Sequence, residues 1–149
     1  ALYTGNDENI FLDLLTTYQF GDEPDHSISF RGGLLGQWAV WTQKAVEDFS
    51  ELIAIRESGG SIPADVLTRA QQMTDINAVL FDAANGFAGC IPGIHEVLRR
   101  QGLLEGIWTL NPQETLSPGQ SEEIDRIYSM YPEFNDDTFV REHLDEWLR

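Results

Sequence analysis

The chain opens on a short apolar stretch and passes at once into helical periodicity. Ala1-Leu2-Tyr3-Thr4 reads as a buried strand and Gly5-Asn6-Asp7-Glu8 as a turn. Ile10, Phe11, Leu14, Leu15 and Tyr18 then recur at helical spacing. Phe20-Gly21-Asp22-Glu23-Pro24-Asp25 is an acidic turn. His26-Ser27-Ile28-Ser29-Phe30-Arg31 alternates apolar and polar residues and predicts a second strand, which Gly32-Gly33 breaks. A long helix is predicted over 34–56. Its buried stripe is Leu35, Trp38, Trp41 or Thr42, Ala45, Phe49, Leu52 and the apolar stem of Arg56. Ser58-Gly59-Gly60-Ser61 ends it, and Pro63 suits the first turn of the next helix.

That next helix is predicted over 64–84, with Val66, Leu67, Ala70, Met73, Asn77, Leu80 and Phe81 on one side. A loop follows from Asn85-Gly86 to Gly89. Pro92 opens a short helix to Gln101, stopped by Gly102, and residues 103–116 form an irregular crossing segment. Ser117-Pro118-Gly119-Gln120 has the form of a capping box, so a further helix starts there and ends near Tyr131-Pro132. A final helix is predicted over 137–148, capped by Asp136-Asp137 and burying Val140, Leu144, Trp147 and Leu148.

A strand, a helix and a second strand predict a parallel βαβ unit over residues 1–60, followed by a helical region over 61–149 that packs on it as one structural unit. Two strands do not make a stable sheet. A strand without a neighbour leaves a row of unpaired backbone groups. The expectation is that residues outside this sequence supply the neighbour.

Composition narrows the class. With 42% apolar residues, four Trp, eight Phe and four Tyr, the chain can bury a core and is not a disordered segment. The balance of 25 acidic against 9 basic residues gives a net charge of −16. Such a surface repels phosphate backbones and anionic bilayers, so neither nucleic acid nor a membrane is an expected partner. Cys90 is the only cysteine, which rules out a disulfide within the chain and fits a reducing, cytoplasmic compartment. Its apolar neighbours predict a buried structural thiol. His26, His95 and His143 are scattered and form no ligand pair, so no metal site is expected. The Trp38/Trp41 pair and Trp147 read as core or subunit interface. Gly32-Gly33-Leu34-Leu35-Gly36 lacks the signature of a phosphate-binding loop and reads as a turn that permits close packing.

Four stretches, taken in order, resemble the C-terminal portion of a known family. Thr4-Gly5-Asn6-Asp7-Glu8 resembles its seventh barrel strand and following loop, and Ser27-Ile28-Ser29-Phe30 its eighth strand. The helices predicted over 34–56 and 64–84 match the following elements. Ile91-Pro92-Gly93-Ile94-His95-Glu96-Val97-Leu98, Gly102-Leu103-Leu104 and Leu116-Ser117-Pro118 are similar to its terminal helices. The family is that of dihydrodipicolinate synthase and N-acetylneuraminate lyase, class I aldolase-type (β/α)8 barrels. The resemblance implies the last two βα units of such a barrel. The activity implied is that of a lyase or dehydratase, in which a barrel lysine forms a Schiff base with pyruvate, a similar 2-keto acid or a sugar acid. That lysine, a proton-relaying tyrosine and a carboxylate-binding loop would all lie upstream of Ala1, on the same precursor or on a separate chain. The family also commonly assembles as homo-oligomers, and no cofactor is implied.

Lys44 is the only lysine present. It falls on the long helix, off the apolar stripe, and reads as a solvated residue, so this chain alone carries no expected imine-forming amine. Active sites of such barrels lie at the C-terminal ends of the strands. The resemblance therefore places Gly5, Asp7 and Glu8 against substrate hydroxyls, although Asn6 or Asp7 capping the helix, with Glu8 complementing its dipole, explains the same residues. Ser29 and Arg31 share one strand face. In the barrel reading Arg31 sits at the mouth and pairs with a substrate carboxylate, or else with an acid at a loop or subunit contact. Arg31 departs from the small or polar residue usual there. The competing class is a non-catalytic, acidic, helical interaction or regulatory module.

Overall fold

The computed structural model describes residues 1–21 and 26–149. Residues 22–25, and with them most of the acidic turn, lie outside the described residues. The chain is α/β and predominantly helical, with very short strands. Strand β1 (Tyr3–Thr4) is followed by helix α1 (Ile10–Leu15), strand β2 (Thr17–Gln19), strand β3 (Ser27–Ser29) and strand β4 (Gly32–Gly33). β1 pairs in parallel with β4, Tyr3 opposite Gly32 and Thr4 opposite Gly33. Hydrogen bonds from Arg31 N to Leu2 O and from Leu34 N to Thr4 O, both 2.8 Å, flank that ladder.

The parallel pairing across a helix is present, but through different residues from those predicted. The alternating stretch does form a strand, β3, yet its partner is β2 in an antiparallel ribbon, Thr17 opposite Ser29. The diglycine expected to break the strand is itself the parallel partner of β1. The reason is steric. A Cβ on Gly32 would collide with the Tyr3 ring, and one on Gly33 with Trp38 and Ile10. Only glycines let aromatic rings from both sides lie directly on this backbone.

The predicted long helix is two elements. A 3-10 turn covers Gly36–Ala39, and helix α2 runs Thr42–Ser58. The break lies at Trp41, whose backbone is left-handed (φ 54°) while its indole is 1% exposed. Burying that ring edge-to-face on Tyr128, centroids 5.0 Å apart, offsets the backbone strain. The N-terminus of α2 is capped from a distant part of the chain: Gln43 N donates to Asp136 Oδ2 at 3.0 Å. Asp136 also accepts from Gln101 Nε2 at 2.8 Å. The other end stops where predicted, at Gly59 with φ 63°.

Helix α3 (Ala64–Leu80) is the central post, contacting α1, the 3-10 turn, α4 (Cys90–Arg100) and α5 (Gln120–Met130). Val66, Ala70, Met73, Ile76, Asn77 and Leu80 are buried along it. Leu67, expected on this face, is 51% exposed, and Ile76, which is fully buried, takes the inward position. The helix also ends earlier than expected, because Asp82 turns the chain with a left-handed backbone, φ 57°. Helix α6 (Asp137–Trp147) buries Val140, but Trp147 and Leu148 are exposed. Trp147 instead stacks on His143, centroids 5.4 Å apart. Cys90 begins α4 and is half-buried, so the expected buried thiol is corrected to one at the surface of a hollow.

The predicted capping box is half formed. Gln120 Oε1 accepts from Ser117 N at 3.0 Å, but the Ser117 hydroxyl donates to Asp82 Oδ2 at 2.5 Å. Gly89 N and Asn85 Nδ2 also donate to Asp82, at 2.9 and 2.7 Å. Burial pushes the Asp82 carboxyl up, yet these three donors outweigh it and hold its pKa below the ordinary 3.8. A group so depressed stabilises the fold above 3.8 and loses that contribution as pH falls further. Asp82→Ala is expected to cost about 2–4 kcal/mol in urea unfolding at neutral pH, because buried donors are orphaned.

Asp48 on α2 behaves in the opposite sense. Burial, opposed by Arg69 at 3.6 Å and reinforced by Glu51 and Glu47, raises its pKa from 3.8 to about 6. A raised carboxyl binds its proton more tightly in the folded state, so stabilisation is complete below 3.8 and lost as pH rises through about 6. Asp48→Asn should therefore stabilise the chain at pH 7 by about 1–2 kcal/mol, with the gain vanishing in acid unfolding titrations at and below the ordinary value.

Candidate functional site

The C-terminal ends of β1 and β4 lie side by side, and the turn after β1 is tightly constrained. Thr4, buried, accepts from Asn6 N at 3.2 Å and donates its hydroxyl to Asp13 Oδ2 at 2.5 Å. The Tyr18 hydroxyl donates to the other Asp13 oxygen at 2.9 Å. Burial first, then Asp13, raises the Tyr18 pKa, so the phenol stays a donor. Asn6 Oδ1 accepts from Glu8 N and Asn9 N at 3.1 and 3.2 Å. The expected helix cap from Asn6 or Asp7 is not formed: α1 starts at Ile10 behind Asn9, with no side-chain cap hydrogen bond. Asn6 instead closes this turn. Thr74 of α3 ties it down by donating to Glu8 O at 2.6 Å.

That division of labour leaves Asp7 and Glu8 exposed, with no side-chain hydrogen bond to the described residues. Gly5 is exposed beside the Leu34 carbonyl; a Cβ there would stand 3.5 Å from it. Gly5 therefore stands beside Leu34, the residue after β4, while Glu8 lies against Thr74 of α3. Ser29 and Arg31 are brought together elsewhere. They line a hollow of about 300 Å³ with Ala1, Leu2, Ser27 and Ile28, at the N-terminal end of the parallel ladder. Ser29 Oγ lies 3.1 Å from Thr17 Oγ1 across the ribbon. The parallel register separates the two groups, because it aligns Tyr3 with Gly32 instead of with the β3 residues.

Beside the ladder runs a larger open groove of about 740 Å³, with Tyr3, Gly32, Gly33, Leu34, Trp38, Val46 and Phe49 among its walls. Its signal in the sequence is the run of glycines followed by two tryptophans from Gly32 to Trp41. Asp13, a polar residue inside the apolar run of α1, is the signal for the hydrogen-bonded turn.

Lys44 is paired with Glu47 at 2.8 Å on the outer face of α2, as expected of a solvated helix residue. Among the described residues no cluster of three or more His, Cys, Asp or Glu is arranged to hold a metal, and no helix is long and apolar enough to cross a membrane. Comparison of the chain with protein-family models, curated proteins and solved structures finds no match.

The Thr4–Asp13–Tyr18 chain of hydrogen bonds makes a specific claim about the turn. Thr4→Val, nearly isosteric, should cost about 1–2 kcal/mol in chemical denaturation and speed amide exchange at Asn6, since Asn6 N loses its acceptor.

Proposed function

We propose that this chain is the C-terminal portion of an aldolase-type lyase or dehydratase that forms a Schiff base with a pyruvate-like 2-keto acid or sugar acid. The observation that carries the reading is the parallel pairing of β1 with β4 across α1 and the β2–β3 ribbon, with Gly5 of the turn after β1 beside Leu34 at the end of β4. A strand, a crossover helix and a parallel strand are one repeat of an α/β sheet, and in a closed barrel of such repeats the loops at the strand ends carry the chemistry. In this reading the chain holds the last two βα units of a (β/α)8 barrel, and α3 to α6 form a helical cap packed on them.

The reaction begins outside these residues. A lysine amine upstream attacks the C2 carbonyl of the keto acid, water leaves, and the protonated imine draws electrons from the adjacent carbon. Residues of this chain act on the substrate's far end. The exposed Asp7 and Glu8 carboxylates accept hydrogen bonds from its hydroxyls, and Gly5 keeps the approach open. Asn6 holds the turn. Ser29 and Arg31 stand at the other end of the ladder and take no part in these contacts. The assembled protein is a cytoplasmic homo-oligomer in this reading, as the lone cysteine and the family resemblance suggest.

The test is reductive trapping of the native protein, purified with all further residues and chains it carries. Pyruvate and borohydride should add one reduced pyruvyl group to a lysine outside residues 1–149, located by peptide mass spectrometry. Asp7→Ala together with Glu8→Ala should leave that adduct intact while weakening binding of a hydroxylated keto acid by about tenfold or more, the loss of one or two hydrogen bonds. Absence of any adduct overturns the proposal in favour of an acidic interaction module, and an adduct on Lys44 overturns the placement of the reacting amine outside these residues.

A further inference from the structure

The outer surface of α6 carries a cluster of rings that packing within the chain does not explain. Phe139, His143 and Trp147 meet on one side of the helix. Their ring centroids are 4.4 Å apart for Phe139 and His143, 5.4 Å for His143 and Trp147, and 5.7 Å for Phe139 and Trp147. His143 Nδ1 donates to Phe139 O at 2.8 Å, which fixes the middle ring. Yet of the residues of α6 only Val140 is buried, and Trp147 is 47% exposed. Glu142 follows Phe139 by three positions and Glu146 follows His143 by three, so helical spacing sets both carboxylates along the flank of the rings. Both are exposed, and among the described residues no ion pair reaches either of them.

Elsewhere the same chain shows what completes such a set. Between α4 and α5 the Arg100 guanidinium lies 5.2 Å from the centre of the Tyr128 ring, and it pairs with Glu96 at 2.8 Å and Asp125 at 2.7 Å. One arginine there meets an aromatic face and two carboxylates. Arginine suits this role because its planar, weakly hydrated guanidinium stacks on a ring while its N–H groups bond to carboxylates. α6 offers the ring and the two carboxylates, and among the described residues no cation lies over Trp147. The net charge of −16 acts in the same direction: it draws in a cationic partner and disfavours a second copy of the chain or an anionic bilayer. We infer that this face of α6 docks an arginine-bearing segment of a partner protein, whose guanidinium groups stack on Trp147 and pair with Glu142 and Glu146. The inference does not rest on the lyase reading, because α6 lies outside the two βα units.

Calorimetric titration with a synthetic peptide of alternating arginine and alanine tests it. The 149-residue chain should bind this peptide, and a lysine-alanine counterpart should bind at least about threefold more weakly, since an ammonium does not stack. Trp147→Ala should weaken binding of the arginine peptide by about tenfold, and so should Glu142→Gln together with Glu146→Gln. All three residues are exposed, so the melting temperature should not move in either variant. Glu57→Gln together with Glu114→Gln removes the same charge at exposed positions elsewhere and should leave the affinity within about twofold, because distant surface charges are screened. Failure of the chain to bind overturns the inference, as does equal affinity for the lysine peptide or an affinity that survives Trp147→Ala. Equal weakening by the Glu57 and Glu114 pair overturns it in favour of attraction to the net charge alone.

Discussion

A two-residue parallel ladder does not hold itself together, so the sheet in this protein depends on the helix inserted between its strands. Phe11 and Leu14 of α1 have no exposure at all, and Ile10 and Leu15 are nearly as buried. They are wedged between α2 and α3, and fully burying each such side chain is worth about 1.5–3 kcal/mol. Because α1 is short, those contacts leave it no freedom to shift, and the positions of β1 before it and β2 after it follow from them. Arg56 then pins the far end. Its guanidinium donates to Leu14 O at 2.6 Å and Phe30 O at 2.9 Å, satisfying carbonyls at the end of α1 and just past β3 with one charged group.

The helical region depends on that wedge through α3, which touches α1 on one side and α4 and α5 on the other. Two buried carboxylates join what hydrophobic contact leaves loose. Asp82 collects donors from the loop before α4 and from the segment before α5, and Asp136 caps α2 from the segment before α6. Both satisfy backbone N–H groups at helix or loop starts that would otherwise be orphaned. Asp75 does similar work at the surface, where Arg126 grips it with two hydrogen bonds of 2.8 and 3.0 Å and lowers its pKa.

The function proposed here and the open groove are two aspects of one geometry. The strand end that leads into Gly5, Asp7 and Glu8 is positioned by a ladder whose outer edge is unpaired among the described residues. The candidate site was legible where a residue's role is local. Lys44 reads as a solvated helix residue and is one, whereas Asn6 or Asp7 reads as the cap of the first helix and neither is: α1 starts behind Asn9, and Asn6 closes the turn before it. It was not legible where strand register decides which residues meet. Ser29 and Arg31 share a strand face by alternation, but nothing in their own stretch shows that β1 aligns with the glycines beyond them.

By itself the sequence determined that the chain is α/β and mostly helical, and much of the buried stripe of its longer helices, because these follow from periods within a few positions of each other. Leu35, Ala45 and Leu52 are buried where the stripe over 34–56 places them, and Gly59 stops α2. Tertiary structure alone decided what rests on distant partners. Trp41 breaks the predicted long helix because its ring is needed against Tyr128, and Asp136 supplies the cap that the local sequence lacks. Gly32 and Gly33 become a strand because rings from Tyr3 and Trp38 require bare backbone beneath them. Local pattern records what a segment prefers, while pairing and close packing depend on which surfaces the completed fold brings into contact.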